Sequence, residues 1–199
     1  MLVKICGVQS QATARVVADA GADLIGFIFA KSKRQLTIEA AQAICMGLPS
    51  SLKSVGVFVN KPIEEVNQIA DQVGLDYVQL HGNESLSACR ASRYPVIKSI
   101  SIQTSSDVDR VGHYINDVDY VLLDGAVAGS GHVFDWNLID SFKRSREKLI
   151  LAGGLTLTNV QQAIEHIQPA GVDVSSGVEI NGVKDDKKII QFIKNAKEG

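Results

Sequence analysis

The sequence is poor in three things: charge of one sign, cysteine and long apolar runs. Its 20 basic and 22 acidic side chains leave a formal net charge of −2, with a pI near 6.1 and no block of like charge. That balance gives no support to nucleic-acid or anionic-membrane binding, so the expected partner is a small molecule. The three cysteines, Cys6, Cys45 and Cys89, are odd in number and far apart. Neither a disulfide framework nor a C-x-x-C metal site is indicated. Cys45 and Cys89 sit in helix-like text, where buried, inert thiols are expected. No apolar stretch approaches the ~18 residues of a membrane span, and the start lacks the basic region, apolar segment and small-residue cleavage site of a signal peptide. A cytoplasmic location is expected. Linkers rich in Pro, Gly or Ser and low-complexity segments are also missing. A single domain over residues 1–199 is therefore expected, long enough to bury most of its unfolded surface in one core.

What is there is an alternation. Short runs rich in Val, Ile and Leu are separated by longer segments with helical spacing of apolar residues, the pattern of βα units around a parallel sheet. Eight strands are expected: Leu2 to Cys6, Asp23 to Phe29, Ser54 to Val59, Tyr77 to Leu80, Val96 to Ile100, Tyr120 to Asp124, Leu149 to Ala152 and Gly171 to Ser175. Eight helical segments separate or follow them. In PIEEVNQIADQVG, Ile63, Val66, Ile69, Ala70 and Val73 share one face, Pro62 suits the first helical position and Gly74 suits the stop. Eight such units predict an α/β fold, a (β/α)8 TIM barrel in preference to an open doubly wound sheet. Units of roughly 25 residues are short for a barrel of ~250, so short loops and a small substrate are expected. The units share no obvious sequence motif.

In such barrels the chemistry sits at the C-terminal ends of the strands. Unusual polar residues gather at those ends: Cys6 before Gly7, Arg34 in KSKRQ, Gln79 and His81 around strand four, and Asp124 before Gly125. AGGL after strand seven offers Gly153 and Gly154, and DVSSGVE around the end of strand eight offers Asp173, Ser175, Ser176 and Gly177. Glycine-rich turns let backbone N–H groups approach an anion, a helix N-terminus adds a favourable dipole, and loops after strands seven and eight commonly hold phosphate in this fold. A phosphorylated small-molecule substrate is expected. Each residue alone has a plainer reading: Arg34 as a solvated charge, His81 bonding a turn, Asp124 as an N-cap, Cys6 as core. Their joint placement opposite a phosphate cradle favours a site.

Other motifs fail. GAVAGSG lacks the spacing of a dinucleotide site and is expected to form a mobile loop, and Ser130 lacks the G-x-S-x-G elbow. The four histidines, His81, His113, His132 and His166, have no metal-ligand spacing, so neither metal nor cofactor is expected. Oligomeric state is not readable from the chain.

Taken in order, KICGV, GADLIGFIFAKSKR, VGVFVN, VQLHGNE, LLDG followed by GSGHVFDW, LAGGLTLTNV and DVSSGVEINGVKD resemble the phosphoribosylanthranilate isomerase family of tryptophan biosynthesis. The resemblance implies an Amadori rearrangement without a cofactor on a (β/α)8 barrel. It places the general base on Cys6, the general acid on Asp124 and the anthranilate-binding arginine on Arg34. It places phosphate binding on Gly153, Gly154, Ser175, Ser176 and Gly177 with Asp173 beside them, and substrate contacts on Gln79 and His81. Leu157 departs from a proline common in the family, a change confined to a helix start. The chemistry requires Asp124 to titrate above the ordinary carboxyl when substrate excludes water, and Cys6 to favour the thiolate, with Lys4 as a candidate cation on the same strand face. Two rivals are the histidine-pathway isomerase, which places an aspartate at the position of Cys6, and a non-catalytic barrel that binds a phosphorylated ligand.

Overall fold

The computed structural model describes residues 1–125, 138, 142 and 145–198. In chain order the elements are β1 (Leu2–Cys6), α1 (Gln11–Asp19), β2 (Leu24–Ile28), α2 (Ile38–Cys45), β3 (Lys53–Phe58), α3 (Ile63–Val73), β4 (Tyr77–Leu80), α4 (Leu86–Arg90) and β5 (Val96–Ile102). They continue with α5 (Ser105–Tyr114), β6 (Tyr120–Gly125), β7 (Leu149–Leu151), α6 (Val160–Ile167), β8 (Gly171–Val174), a 3-10 turn (Ser176–Val178), β9 (Glu179–Ile180), β10 (Val183–Lys184) and α7 (Asp186–Glu198). Strands β1 to β8 pair in chain order, all parallel, and β8 closes on β1 with Lys4 beside Asp173. This is the expected closed barrel, each strand ending within two residues of its expected bounds. The expected helical segment between β6 and β7 falls largely outside the described residues, and so does the GAVAGSG loop beyond Gly125. No helix among the described residues is long and apolar enough to cross a membrane.

Side-chain alternation divides the core in two. Residues facing outward from the strands pack under the helices in one large cluster that includes Ile5, Phe27, Phe58, Leu80 and Phe192. Inward-facing Leu24, Val55, Ile97, Leu122 and Ile150 form a separate plug inside the barrel, with Tyr77 and Tyr120 against it. One step further along the same strand faces come Gly26, Val57, Gln79, Ser99 and Asp124, two residues on in each case. The interior is thus apolar at the base and polar toward the mouth.

Local chemistry explains the helix ends. Ser10, Thr37 and Ser85 cap α1, α2 and α4 by accepting N–H bonds from Thr13, Ala40 and Ala88. Gly74 stops α3 in the left-handed conformation, φ 76°, while Pro62 stands one residue ahead of the helix as its N-cap. The α3 face buries Val66, Ile69, Ala70 and Val73 as expected, along with Asn67. Cys89 is buried, but Cys45 at the end of α2 is only half-buried, a correction to its expected place in the core. Burial still pushes the Cys45 thiol up to about 11, which keeps it inert at neutral pH.

At the base a motif emerges that the sequence does not advertise. Asp23, Asp76 and Asp119 stand immediately before β2, β4 and β6, and each turns a carboxylate back onto the preceding strand. Their Oδ2 atoms accept the N–H groups of Val3, Ser54 and Val96 at 2.8, 2.9 and 2.8 Å. Each aspartate's own N–H donates to the carbonyl of the same residue it caps. Three units therefore share a device, which amends the expectation that they have none in common.

Candidate active site

Cys6 ends β1 with its side chain turned into the mouth, and it is buried. Its register partner on β2 is Gly26. A Cβ on Gly26 would stand 2.8 Å from the Cys6 Sγ and 3.1 Å from the Lys4 Nζ, so glycine makes room for both groups. Lys4 is fully buried, and its Nζ lies 2.9 Å from Asp173 Oδ1. Burial acts to lower the Lys4 pKa, but Asp173 and Cys6 outweigh it and hold the ammonium charged. The thiol behaves otherwise: burial pushes Cys6 up, against the pull of Lys4, and Asp173 adds to the upward push. The expected depression of the Cys6 pKa is thus corrected. Lys4 is where it was expected, but its charge is shared with Asp173.

Across the mouth, Asp124 is the last residue but one of β6, and its Oδ2 lies 3.2 Å from His81 Nε2. The other ring nitrogen, Nδ1, is 2.8 Å from the amide Nε2 of Gln79, which also meets Ser99 Oγ at 3.0 Å. This amide placement leaves Gln79 Oε1 buried without a partner, and the turned-over amide would accept from a protonated Nδ1, so the contact fixes the ring's orientation and not its tautomer. The loop carrying His81 is clamped by Lys98, fully buried, whose Nζ binds the carbonyls of Leu80 and Gly82 at 3.0 and 2.7 Å and Glu84 Oε2 at 3.0 Å. Sequence reading passed over Lys98 and Glu84, whose pairing becomes visible only when β4 lies beside β5.

Arg34 follows β2 and is neither solvated nor free. Its Nε and NH2 donate to the two carboxylate oxygens of Glu179 at 2.6 and 2.7 Å. Lys184 Nζ completes the group, 2.8 Å from Glu179 Oε1 and 2.9 Å from the carbonyl of Ser175. Burial acts against the charged form of Glu179, yet Arg34 and Lys184 together hold it at about 2. Glu179 and Lys184 face each other across β9 and β10, joined by Asn181 and Gly182 with φ of 51° and 80°. Asn-Gly between two short strands is the signature of a two-residue hairpin, and it was the available signal for this missed pair.

The two glycine segments meet where expected. Gly153 and Gly154 are both left-handed, φ 78° and 70°, and their N–H groups take no acceptor among the described residues. A Cβ on Gly153 would stand 2.0 Å from the backbone N of Gly125, and one on Gly177 would stand 2.0 Å from the Leu155 carbonyl, so close approach of backbones also requires these glycines. Ser175 Oγ donates to the Cys6 carbonyl at 3.1 Å, tying the ends of β8 and β1. Helix α6 begins only at Val160, so the segment after Gly154 offers backbone amides and no helix dipole at that point. Among the described residues no group of His, Cys, Asp and Glu is arranged to hold a metal ion.

One cavity of about 600 Å³ opens at this end of the barrel. Cys6, Arg34, Gln79, His81 and Asp124 line it on one side of the sequence gap, and Gly153, Gly154, Asp173, Ser175, Ser176 and Gly177 on the other. Ile28, Val57 and Ala152 add apolar lining. Every residue picked from the sequence therefore lines the same space, with Lys31, Lys33 and Arg34 also around it.

Residues 3–195 match the family model described as N-(5'phosphoribosyl)anthranilate (PRA) isomerase. The chain is 46% identical to the N-(5'-phosphoribosyl)anthranilate isomerase of Listeria welshimeri, covering 99% of this chain and 98% of that one. It is 44% identical to the enzyme of the same name from Bacillus cereus, covering 100% and 98%. Its structure superposes on the Thermotoga maritima phosphoribosyl anthranilate isomerase with a TM-score of 0.93 at 42% identity over the full length of both chains. A second structure, of the isomerase in complex with reduced 1-(o-carboxyphenylamino)-1-deoxyribulose 5-phosphate, gives 0.91 at 41% identity, again over both full lengths. The chain belongs to the N-(5'-phosphoribosyl)anthranilate isomerase family.

Proposed function

We propose that Cys6 and Asp124 carry out the isomerisation of N-(5'-phosphoribosyl)anthranilate to 1-(2-carboxyphenylamino)-1-deoxyribulose 5-phosphate, the family's step in tryptophan biosynthesis. The observation that carries this reading is the common cavity: an acid and a base from β6 and β1 face one space, with anion-binding groups around it. The substrate's phosphate is met by the backbone N–H groups of Gly153 and Gly154 and by the Ser175 to Gly177 turn, and its aromatic carboxylate by Arg34. Held at both ends, the ribose lies between the two proton-transfer groups.

Asp124 donates a proton to the furanose ring oxygen, the bond from that oxygen to C1 breaks, and the nitrogen lone pair forms the C1 Schiff base. Cys6, as thiolate, removes the C2 proton, and the electron pair of that C–H bond moves to give an enolamine, which tautomerises to the ketone. His81 Nε2 stands against the Asp124 carboxyl group, and Gln79 fixes the orientation of the ring through Nδ1. Lys4 offers positive charge where the thiolate forms, against the cost of burial. Asp173 keeps Lys4 protonated so that this charge is present. The chemistry needs no redox step and no electron carrier, since product and substrate are isomers.

The test is steady-state consumption of the substrate, followed by the loss of its anthranilate fluorescence. Wild type is expected to turn over, while Cys6→Ser and Asp124→Asn each lose about a hundredfold or more in kcat, the scale of general acid–base catalysis. Binding without turnover by the wild type would contradict the reading and leave Cys6 a core thiol.

A further inference from the structure

Arg34 is built into its place more elaborately than a carboxylate contact alone requires. Its stem lies on Gly7, whose φ of +74° and missing side chain are both needed: a Cβ there would stand 2.6 Å from Arg34 Cδ and 3.3 Å from Ser175 Oγ. The backbone N–H of Arg34 is fixed by Ser32 Oγ at 3.1 Å. A guanidinium has two edges that accept a carboxylate in bidentate fashion, one formed by Nε and NH2 and one by the two terminal nitrogens. Glu179 takes the first edge with both oxygens. Arg34 lines the cavity and Glu179 does not, so the glutamate grips the guanidinium from behind.

Glu179 is itself held from three directions. Lys184 Nζ bonds its Oε1 at 2.8 Å, Lys188 Nζ bonds its carbonyl at 3.0 Å, and the hairpin fixes its backbone opposite Lys184. Its side chain is 5% exposed, so the grip is shielded from water and salt. The charges matter as much as the geometry. Arg34 and Glu179 alone would cancel and attract no anion, but Lys184 restores one net positive charge to the group.

We propose that Glu179 is a positioning residue that clamps the side edge of Arg34 and presents its terminal nitrogens to the aromatic carboxylate of the substrate, with Lys184 supplying the charge the clamp consumes. The inference rests on the reading that Arg34 grips that carboxylate. A clamp of this kind acts on binding. It leaves the proton-transfer groups themselves in place.

The experiment is a double-mutant cycle on the full-length enzyme with Arg34→Ala and Glu179→Gln, reading kcat, KM and the inhibition constant of inorganic phosphate. Glu179→Gln is expected to raise KM about tenfold, with kcat within about twofold and phosphate inhibition unchanged. In the Arg34→Ala background the same substitution is expected to change KM no further. Glu179→Asp keeps the charge with a shorter reach and is expected to fall between wild type and Glu179→Gln, which serves if the latter folds poorly. A lower KM in Glu179→Gln would make the glutamate a competitor for Arg34 and overturn the clamp. An equal KM effect in the Arg34→Ala background, or weakened phosphate inhibition, would overturn it by routing the effect through Lys184 and Ser175. If Arg34→Ala itself leaves KM unchanged, the carboxylate reading fails and the clamp with it. If only Glu179→Gln leaves KM unchanged, the clamp fails alone.

Discussion

The two ends of the barrel put aspartate to different uses. At the base, Asp23, Asp76 and Asp119 spend their carboxylates on the N–H groups of Val3, Ser54 and Val96, closing the ladder where each strand begins. At the mouth, Asp124 meets a histidine and Asp173 meets a lysine, and both line the cavity. Asp119 and Asp124 belong to the two ends of one strand, so strand chemistry does not separate them. Position along the barrel axis does. Asp23 and Asp76 also pair with Lys197 and Lys53, so a titratable neighbour does not mark the difference; the mouth aspartates open onto the cavity, where a carboxyl group is available for proton transfer, and the base aspartates do not.

That contrast can be broken at several points. The largest kinetic effect after loss of Cys6 or Asp124 is expected at Arg34: Arg34→Lys keeps the charge but not the fork, and kcat/KM should fall about ten- to a hundredfold with the melting temperature little changed. An unchanged kcat/KM would remove Arg34 from substrate binding. Lys4→Met should move the ascending limb of the pH–rate profile upward, by about one unit. The sign follows from the cause: Lys4 pulls the Cys6 pKa down against burial, so its removal lets the thiol rise further and the thiolate appear later. Because Lys4→Met strands Asp173 in the interior, the Lys4→Met/Asp173→Asn double variant should be more stable and show a smaller upward shift, since the push of Asp173 on the thiol goes with it. A limb that stays put would contradict the role of Cys6 as base.

Smaller effects are expected for stability. Asp76→Ala removes the partner of the Ser54 N–H and hydroxyl and should cost about 1–3 kcal/mol, several degrees in melting temperature, with kcat and KM unaltered. Smallest is an acid effect at the rim. Glu179 is depressed to about 2 from an ordinary 4.5, so its contribution is present above about 4.5 and lost as pH falls through about 2. In Glu179→Gln the decline of stability across that window should be shallower, measured by denaturant unfolding at stepped pH.

The barrel was legible because its strands are apolar on both faces and its helices on one, two patterns that differ in period and length. The eleven candidate site residues could be grouped because the fold gathers strand ends into one mouth. What escaped was small or distant. Strands β9 and β10 have two residues each, too few for any alternation to register, and only Asn181-Gly182 marked them. Glu179 was read as part of a phosphate loop, since its partner Arg34 lies 145 positions away. The direction of the Cys6 pKa failed chiefly because burial, which the strand text does not show, pushes the thiol up; Asp173 adds to that push, and it arrives only when β8 closes on β1. The role of the aspartates before β2, β4 and β6 shows only in the ladder, which reveals the N–H groups they serve.

The central claim is that the mouth carries the chemistry and the base carries the fold. It is tested most directly by measuring kcat and melting temperature side by side for Cys6→Ser and Asp76→Ala. The account predicts a crossed result: kcat down by about a hundredfold or more with little change in melting temperature for the first, and several degrees lost with kcat intact for the second. Activity and melting temperature falling together in both variants, or kcat surviving in Cys6→Ser, would contradict it.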